Sequence, residues 1–412
     1  MRGCLLVKNI GTLQTATGNS VRCGSAQGEN TKLENAAILI KDGMIEEITC
    51  DGELPKSAGA AGLVLDAEGN LVTPGLVDAH THLVFGGYRQ NEIPLKLKGA
   101  SYVDILKAGG GILDTVKKTR RASFEELYEK STGFLDEMLA LGVTACEAKS
   151  GYGLDFENEI KQLEVLKKIA EEHPIDIVAT YMGAHAVPEE YKGKPDEYIS
   201  MVCGTVMPYV AENGLAEYCD VFCEDSAFNV GQSREYLLCA KACGFGLKIH
   251  ADEIEAIGGS KLAGELRAAS AEHLIATDEE GIEALSKSRT VAVLLPGTSF
   301  YLGKQYAPAR RMIELGVPVA LATDFNPGSC PSLNLQLIIN MACLKYKMTP
   351  EEILTAVTIN AACAVGRGGA IGTLEKGKQG DLVVWDAKDM ETLCYRFGSN
   401  LALQVIKKGE LV

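Results

Sequence analysis

The sequence predicts an α/β protein built round a parallel sheet, with strand-rich segments at both ends. Three observations carry this. Short apolar runs alternate with amphipathic helices through the middle of the chain. Eight such runs end near His80, Lys149, His185, Glu224, His250, His273, Pro296 and Asp324. Five of the six histidines stand at those run ends. Eight strands with helices between them over about 290 residues is the arithmetic of a (β/α)8 barrel. A doubly wound sheet would give the same alternation.

The first 75 residues read as strands, including Ala36–Ile40, Gly43–Thr49 after a Lys-Asp-Gly turn, and Gly62–Asp66. Next come the signalled helices. Ser123-Phe-Glu-Glu126 is a capping box, apolar residues follow at 127, 134, 135, 138 and 139, and Gly142 stops the helix. Asp155–Glu172 puts Ile160, Leu163, Leu166, Ile169 and Ala170 on one stripe. Thr349-Pro-Glu-Glu352 is a second capping box with Pro at the first helical position. The tail returns to strands at Asp381–Trp385 and Leu403–Lys407.

At 412 residues the chain can bury a large core. Forty Lys+Arg against 55 Asp+Glu leave a net charge of −15, which argues against nucleic acid or an anionic membrane as partner. An anionic substrate would need a local cation. Thirteen Cys with no Cys-x-x-Cys pairing read as reduced thiols of a cytoplasmic protein. The apolar stretch before Lys8 is too short for a signal-peptide core. The uncharged run 326–344 holds two Pro, three Asn and a Gln, so it makes a poor membrane span.

The histidines suggest chemistry. His80 and His82 form His-Thr-His after Leu76–Ala79, and residues two apart on a strand share a face. His185, His250 and His273 follow three further runs, and Asp324 ends Val317–Ala322. In a parallel barrel these ends line one rim, and imidazole with carboxylate suits zinc or iron. His173, in Glu-Glu-His-Pro, reads as a solvated helix terminus.

The segments LVTPGLVDAHTH (71–82), KIHADE (248–253), AEHL (271–274) and LATDFNPGS (321–329) resemble the amidohydrolase superfamily. VFGGYR (84–89), LKGASYVDILKAGGGI (97–112), KSGYGL (149–154), GAHAVP (183–188), VFCEDSAF (221–228) and LLPGTSFYL (294–302) resemble its imidazolonepropionase family, nearly along the whole chain and in family order. The resemblance implies a TIM-like metal-dependent hydrolase barrel at 75–366. It also implies a small composite β-sandwich from residues 1–74 and 367–412. It implies one divalent metal, Zn(2+) or Fe(2+/3+), on His80, His82, His250 and Asp324. The implied reaction, from histidine degradation, hydrolyses 4-imidazolone-5-propanoate to N-formimidoyl-L-glutamate.

Asp324, His273 and Glu253 are then the catalytic candidates. Asp324 would relay the water proton, His273 would polarise the carbonyl, and Glu253 would meet a ring N–H. Arg89 matches the substrate position, and its planar fork suits the propanoate. Tyr102, Tyr152, His185, Glu253, Asn326, Gly328 and Ser329 match further substrate positions. Lys149 and Glu224 raise a second metal as an alternative, because binuclear relatives bridge two ions with a carboxylated Lys or a Glu. Cys330 is a soft thiol beside the site that either packs or confers oxidation sensitivity. A homodimer is the expectation for such a soluble enzyme. The rival readings are a deaminase or another cyclic-amide hydrolase of the same superfamily, or a non-catalytic barrel.

Overall fold

The computed structural model describes residues 3–99 and 109–412. Five strands come first: β1 (Cys4–Thr15), β2 (Thr31–Lys41), β3 (Met44–Thr49), β4 (Leu63–Asp66) and β5 (Leu71–Pro74). After Gly75 the chain enters a second sheet of eight parallel strands. These are β6 (Leu76–Asp78), β7 (Val143–Lys149), β8 (Asp176–Ala184), β9 (Tyr218–Cys223), β10 (Gly246–Ala251), β11 (Ser270–His273), β12 (Val291–Leu294) and β13 (Val319–Leu321). They are hydrogen-bonded in sequence order.

The seam between β13 and β6 closes just beyond both strands. Thr81 bridges Phe325, Asp324 N donates to the His80 carbonyl at 3.1 Å, and His82 N donates to the Phe325 carbonyl at 2.8 Å. Asp78 adds a side-chain latch, accepting from Thr323 N at 3.1 Å and Thr323 Oγ1 at 2.6 Å. This is a (β/α)8 barrel and excludes the doubly wound alternative, whose strand order would reverse.

Helices cover the barrel as their caps predict. Helix α1 (Phe124–Ala140) opens with both halves of the Ser123/Glu126 capping box. Helix α2 (Phe156–Glu172) starts where the Asp155 carboxylate accepts from Asn158 N. Helix α3 (Pro296–Leu302) follows β12, and α4 (Pro350–Val357) carries the Thr349/Glu352 box. Burying Leu163, Leu166 and Ile169 completely docks α2 on the barrel. Each such side chain stabilises the fold by roughly 1.5–3 kcal/mol.

The last strands, β14 (Leu382–Trp385), β15 (Ala402–Lys407) and β16 (Glu410–Leu411), complete the first sheet. Its order is β16-β15-β14-β5-β1-β2-β3, with β4 beside β1. Val384 lies opposite Val72, and the buried Trp385 indole donates to Thr73 Oγ1 at 2.9 Å. Both chain ends therefore share one core, with Leu5, Ile38, Val72, Leu382 and Ile406 packed together. His173 departs from its solvated reading. Its side chain is 5 % exposed, Nδ1 accepts from Ile175 N, and Nε2 lies 3.3 Å from Asp136.

Candidate active site

Four barrel strands bring candidate site residues at or just past their carboxyl ends. His80 and His82 lie two and four residues past the end of β6, His250 lies in β10, His273 closes β11, and Asp324 lies three residues past the end of β13. All five are at most 3 % exposed. His250 Nε2 faces His82 Nε2 at 3.3 Å. Asp324 Oδ1 lies 3.5 Å from His80 Nε2 and 3.6 Å from His82 Nε2. Both ring nitrogens of His80 and Nδ1 of His82 are buried without a hydrogen-bond partner. Buried polar groups are ordinarily satisfied, and His80, His82 and His250 each bring one ring nitrogen within 4.8 Å of the others, an arrangement that fits a set of metal ligands. Burial pushes His80 and His82 well below the ordinary imidazole range, which keeps their lone pairs free.

Backbone strain marks the same positions. His273 and Asp324 hold φ of 70° and 55°, in the left-handed region that costs a side-chain-bearing residue about 1–3 kcal/mol. The turn past each strand thereby aims the side chain across the barrel mouth. Thr298, near the start of α3, donates to Asp324 Oδ2 at 2.5 Å and so fixes the carboxylate's outer oxygen. His273 Nε2 lies 3.6 Å from Glu253 Oε2. Burial lowers His273 to about 3 and raises Glu253, so the imidazole is neutral at physiological pH.

A cavity of about 690 Å³ opens over this cluster. Of the residues expected to bind substrate, Arg89, Tyr152, His185, Glu253, Asn326, Gly328 and Ser329 line it, and Tyr102 lies outside the described residues. His185 stacks on His82 with centroids 4.9 Å apart, and its Nδ1 lies 3.0 Å from the Gly151 carbonyl. A carbonyl only accepts, so Nδ1 is the donor and Nε2 is left with its lone pair. Gly151 must be glycine there: its φ is +112° and a Cβ would stand 2.9 Å from His185 Nδ1. Asn326 builds the turn after β13, its Oδ1 accepting from Gly328 N at 2.8 Å and Ser329 N at 2.7 Å.

Arg89 differs from a simple waiting cation. Glu92 grips its side edge, Nε to Oε1 at 2.9 Å and Nη2 to Oε2 at 3.4 Å. The same Oε1 accepts from Gly111 N at 2.7 Å, tying Gly111 to the guanidinium. Nη1 packs toward Gly328.

Lys149 and Glu224, the residues that raised a second metal, each have partners within the protein. Lys149 Nζ lies 2.7 Å from Asp220 Oδ2 and 2.6 Å from Glu147 Oε1, fully buried. Burial opposes its charge, but the two carboxylates outweigh it and hold the ammonium well above its ordinary value, unlike the neutral amine that carboxylation needs. Glu224 accepts from Glu253 N and Ile254 N at 2.6 and 2.9 Å, bracing the loop after β10. Cys330 is buried with its Sγ beside Gly297, and burial pushes its thiol up. Asp220 escaped the sequence reading; its signal was one acid inside the apolar run Tyr-Cys-Asp-Val-Phe-Cys.

The amidohydrolase family profile matches residues 71–412. The imidazolonepropionase of Alkaliphilus metalliredigens (strain QYMF) is 51 % identical over 413 residues, covering 99 % of this chain and 97 % of the relative. That of Bacillus velezensis is 50 % identical, covering 99 % and 96 %. Among solved structures, E. coli guanine deaminase superposes with a TM-score of 0.74 at 15 % identity, covering all of this chain and 99 % of that one. A zinc-bound adenosine deaminase from Xanthomonas campestris gives 0.69 at 18 %, covering 99 % and 92 %. At such identities the structural likeness speaks for the barrel alone, whereas half of all positions shared end to end speaks for kinship. The chain belongs to the imidazolonepropionase family of the amidohydrolases.

Proposed function

We propose that the protein hydrolyses the ring amide of 4-imidazolone-5-propanoate, adding one water to give N-formimidoyl-L-glutamate. One observation carries the reading: a single cavity joins the His/Asp cluster to Arg89 and His185. The named relatives support the same substrate. His80, His82, His250 and Asp324 would hold one divalent ion, zinc or iron, since the donor set suits both. When bound, that ion supplies Lewis acidity and a water acidic enough to ionise near neutral pH.

The remaining work falls to the chain. Asp324 takes the proton of the attacking water and passes it to the departing ring nitrogen, with Thr298 steadying its other oxygen. His273, neutral, donates to the carbonyl oxygen as charge develops there. Glu253 and His185 Nε2 meet ring nitrogens. Arg89 offers its Nη1/Nη2 end to the propanoate, with Tyr152, Asn326, Gly328 and Ser329 forming the wall around it. Tyr102 belongs to this group by its motif. We read the enzyme as a cytoplasmic homodimer of three segments, 1–74, 75–366 and 367–412. Its free thiols suit a reducing compartment, and its net charge of −15 disfavours nucleic acid. Among the described residues no helix is long and apolar enough to cross a membrane.

The test is direct. Freshly made imidazolonepropanoate is added to the metal-loaded protein, and product is identified by mass spectrometry. Gain of one water without ammonia is expected. Release of ammonia, or no turnover with metal bound, would overturn the reading.

A further inference from the structure

Among the described residues, Glu147, Lys149, Asp220, Lys248 and Glu272 stand fully buried on adjacent or neighbouring barrel strands. Asp220 on β9 is their link to the surface of the site. Its Oδ1 accepts from the His250 backbone N at 3.2 Å and lies 3.1 Å from His250 Nδ1. Its Oδ2 lies 2.7 Å from Lys149 Nζ. Lys149 is held in turn by Glu147 Oε1, which also accepts from Thr180 Oγ1 at 2.5 Å. Lys248 Nζ stands 3.6 Å from Glu147 and 3.7 Å from Glu272.

We propose that Asp220 is a positioning residue for the metal centre: by gripping His250 at both Nδ1 and the backbone N it fixes the ring so that Nε2 faces the ion, and Lys149 fixes Asp220. This rests on the metal-binding part of the reading above. A carboxylate only accepts, so His250 Nδ1 must be the donor and Nε2 must carry the lone pair. Two anchors on one residue leave the ring no second orientation. Stability alone does not call for the network, because a buried ion pair is commonly replaced by apolar packing at no cost.

The test compares Asp220→Asn with wild type, both loaded with zinc, by the rate and extent of metal transfer to a competing chelator. Asparagine keeps the shape but loses the charge, and with its oxygen toward His250 it must turn an N–H donor toward Lys149 Nζ, so the grip on the ring and its brace are both weakened. Metal affinity should fall about 10–100-fold, the range for removing a partner behind a ligating histidine. His250→Ala serves as the reference for a lost ligand. Unchanged retention in Asp220→Asn would overturn the proposal. If that variant does not fold, nitrogen NMR of zinc-loaded wild type labelled at histidine decides. His250 should show a protonated Nδ1 and a bound Nε2; a bound Nδ1 would overturn it. Wild type that takes up no divalent ion would instead sink the metal reading itself.

Discussion

Gly328→Ala tests whether Arg89 reads a carboxylate. A Cβ on Gly328 would stand 2.4 Å from Arg89 Nη1, 2.6 Å from Cζ and 2.9 Å from Nη2. Comfortable non-bonded contact begins near 3.5 Å, so the guanidinium must withdraw by about 1 Å. Its retreat is restrained, because Glu92 grips Nε at 2.9 Å and is itself tied to Gly111 N at 2.7 Å. Breaking a buried charge pair costs about 2–5 kcal/mol, or roughly 30- to 5,000-fold in affinity. A displacement of this size weakens the pair without abolishing it, so KM should rise by about 10²-fold. Gly328 has no left-handed φ and Asn326 holds its turn, so the melting temperature should barely move. Steady-state kinetics in two backgrounds supply the assay. In an Arg89→Met background the added methyl should cost little, since the guanidinium it strikes is gone. An unchanged KM, or an equal loss in both backgrounds, would refute the reasoning.

His273→Ala should lower kcat by about 10²–10⁴-fold while elemental analysis finds the metal retained. Near-normal kcat would reduce His273 to packing. Lys130 carries the pH prediction. Its ammonium lies 4.2 Å from the Phe85 ring centroid and 4.5 Å from that of Tyr88. Burial, then the Lys118 charge, lowers it to about 8. Between pH 8 and about 10.4 the unfolded chain therefore binds more protons at this residue, and its contribution to stability rises with pH. Lys130→Met should flatten that part of the curve of melting temperature against pH; parallel curves would refute it.

The barrel was legible because apolar runs stop where side chains turn to chemistry. His80, His185, His250, His273 and Asp324 all lie at or within four residues of strand ends. Helix starts were legible because Ser123, Asp155 and Thr349 cap locally. What stayed hidden depends on distant pairing or on backbone geometry. Val72 and Val384 meet across the first sheet, and no periodicity names a partner more than 300 residues away. Asp220 looked like any lone acid in a strand until His250 arrived beside it. Glu92 and Arg89 pair at i, i+3 outside a regular helix, where spacing gives no cue. The left-handed φ of His273 and Asp324 has no sequence signal, since Gly or Asn is what such a position ordinarily prefers.

The sheet shared by both chain ends has a consequence for synthesis. Strand β5 bonds to β1 on one side and to β14 on the other. Ribosomes add about 5–20 residues per second, so β5 waits roughly 15–60 s for its second neighbour. Through that interval its outer edge stands open, a template for pairing with another nascent chain. The eight barrel strands are made during the same wait, before β14 emerges, while the first sheet is still unfinished. Damage to the final strands would therefore show first as aggregation of newly made protein, with the barrel's own residues intact.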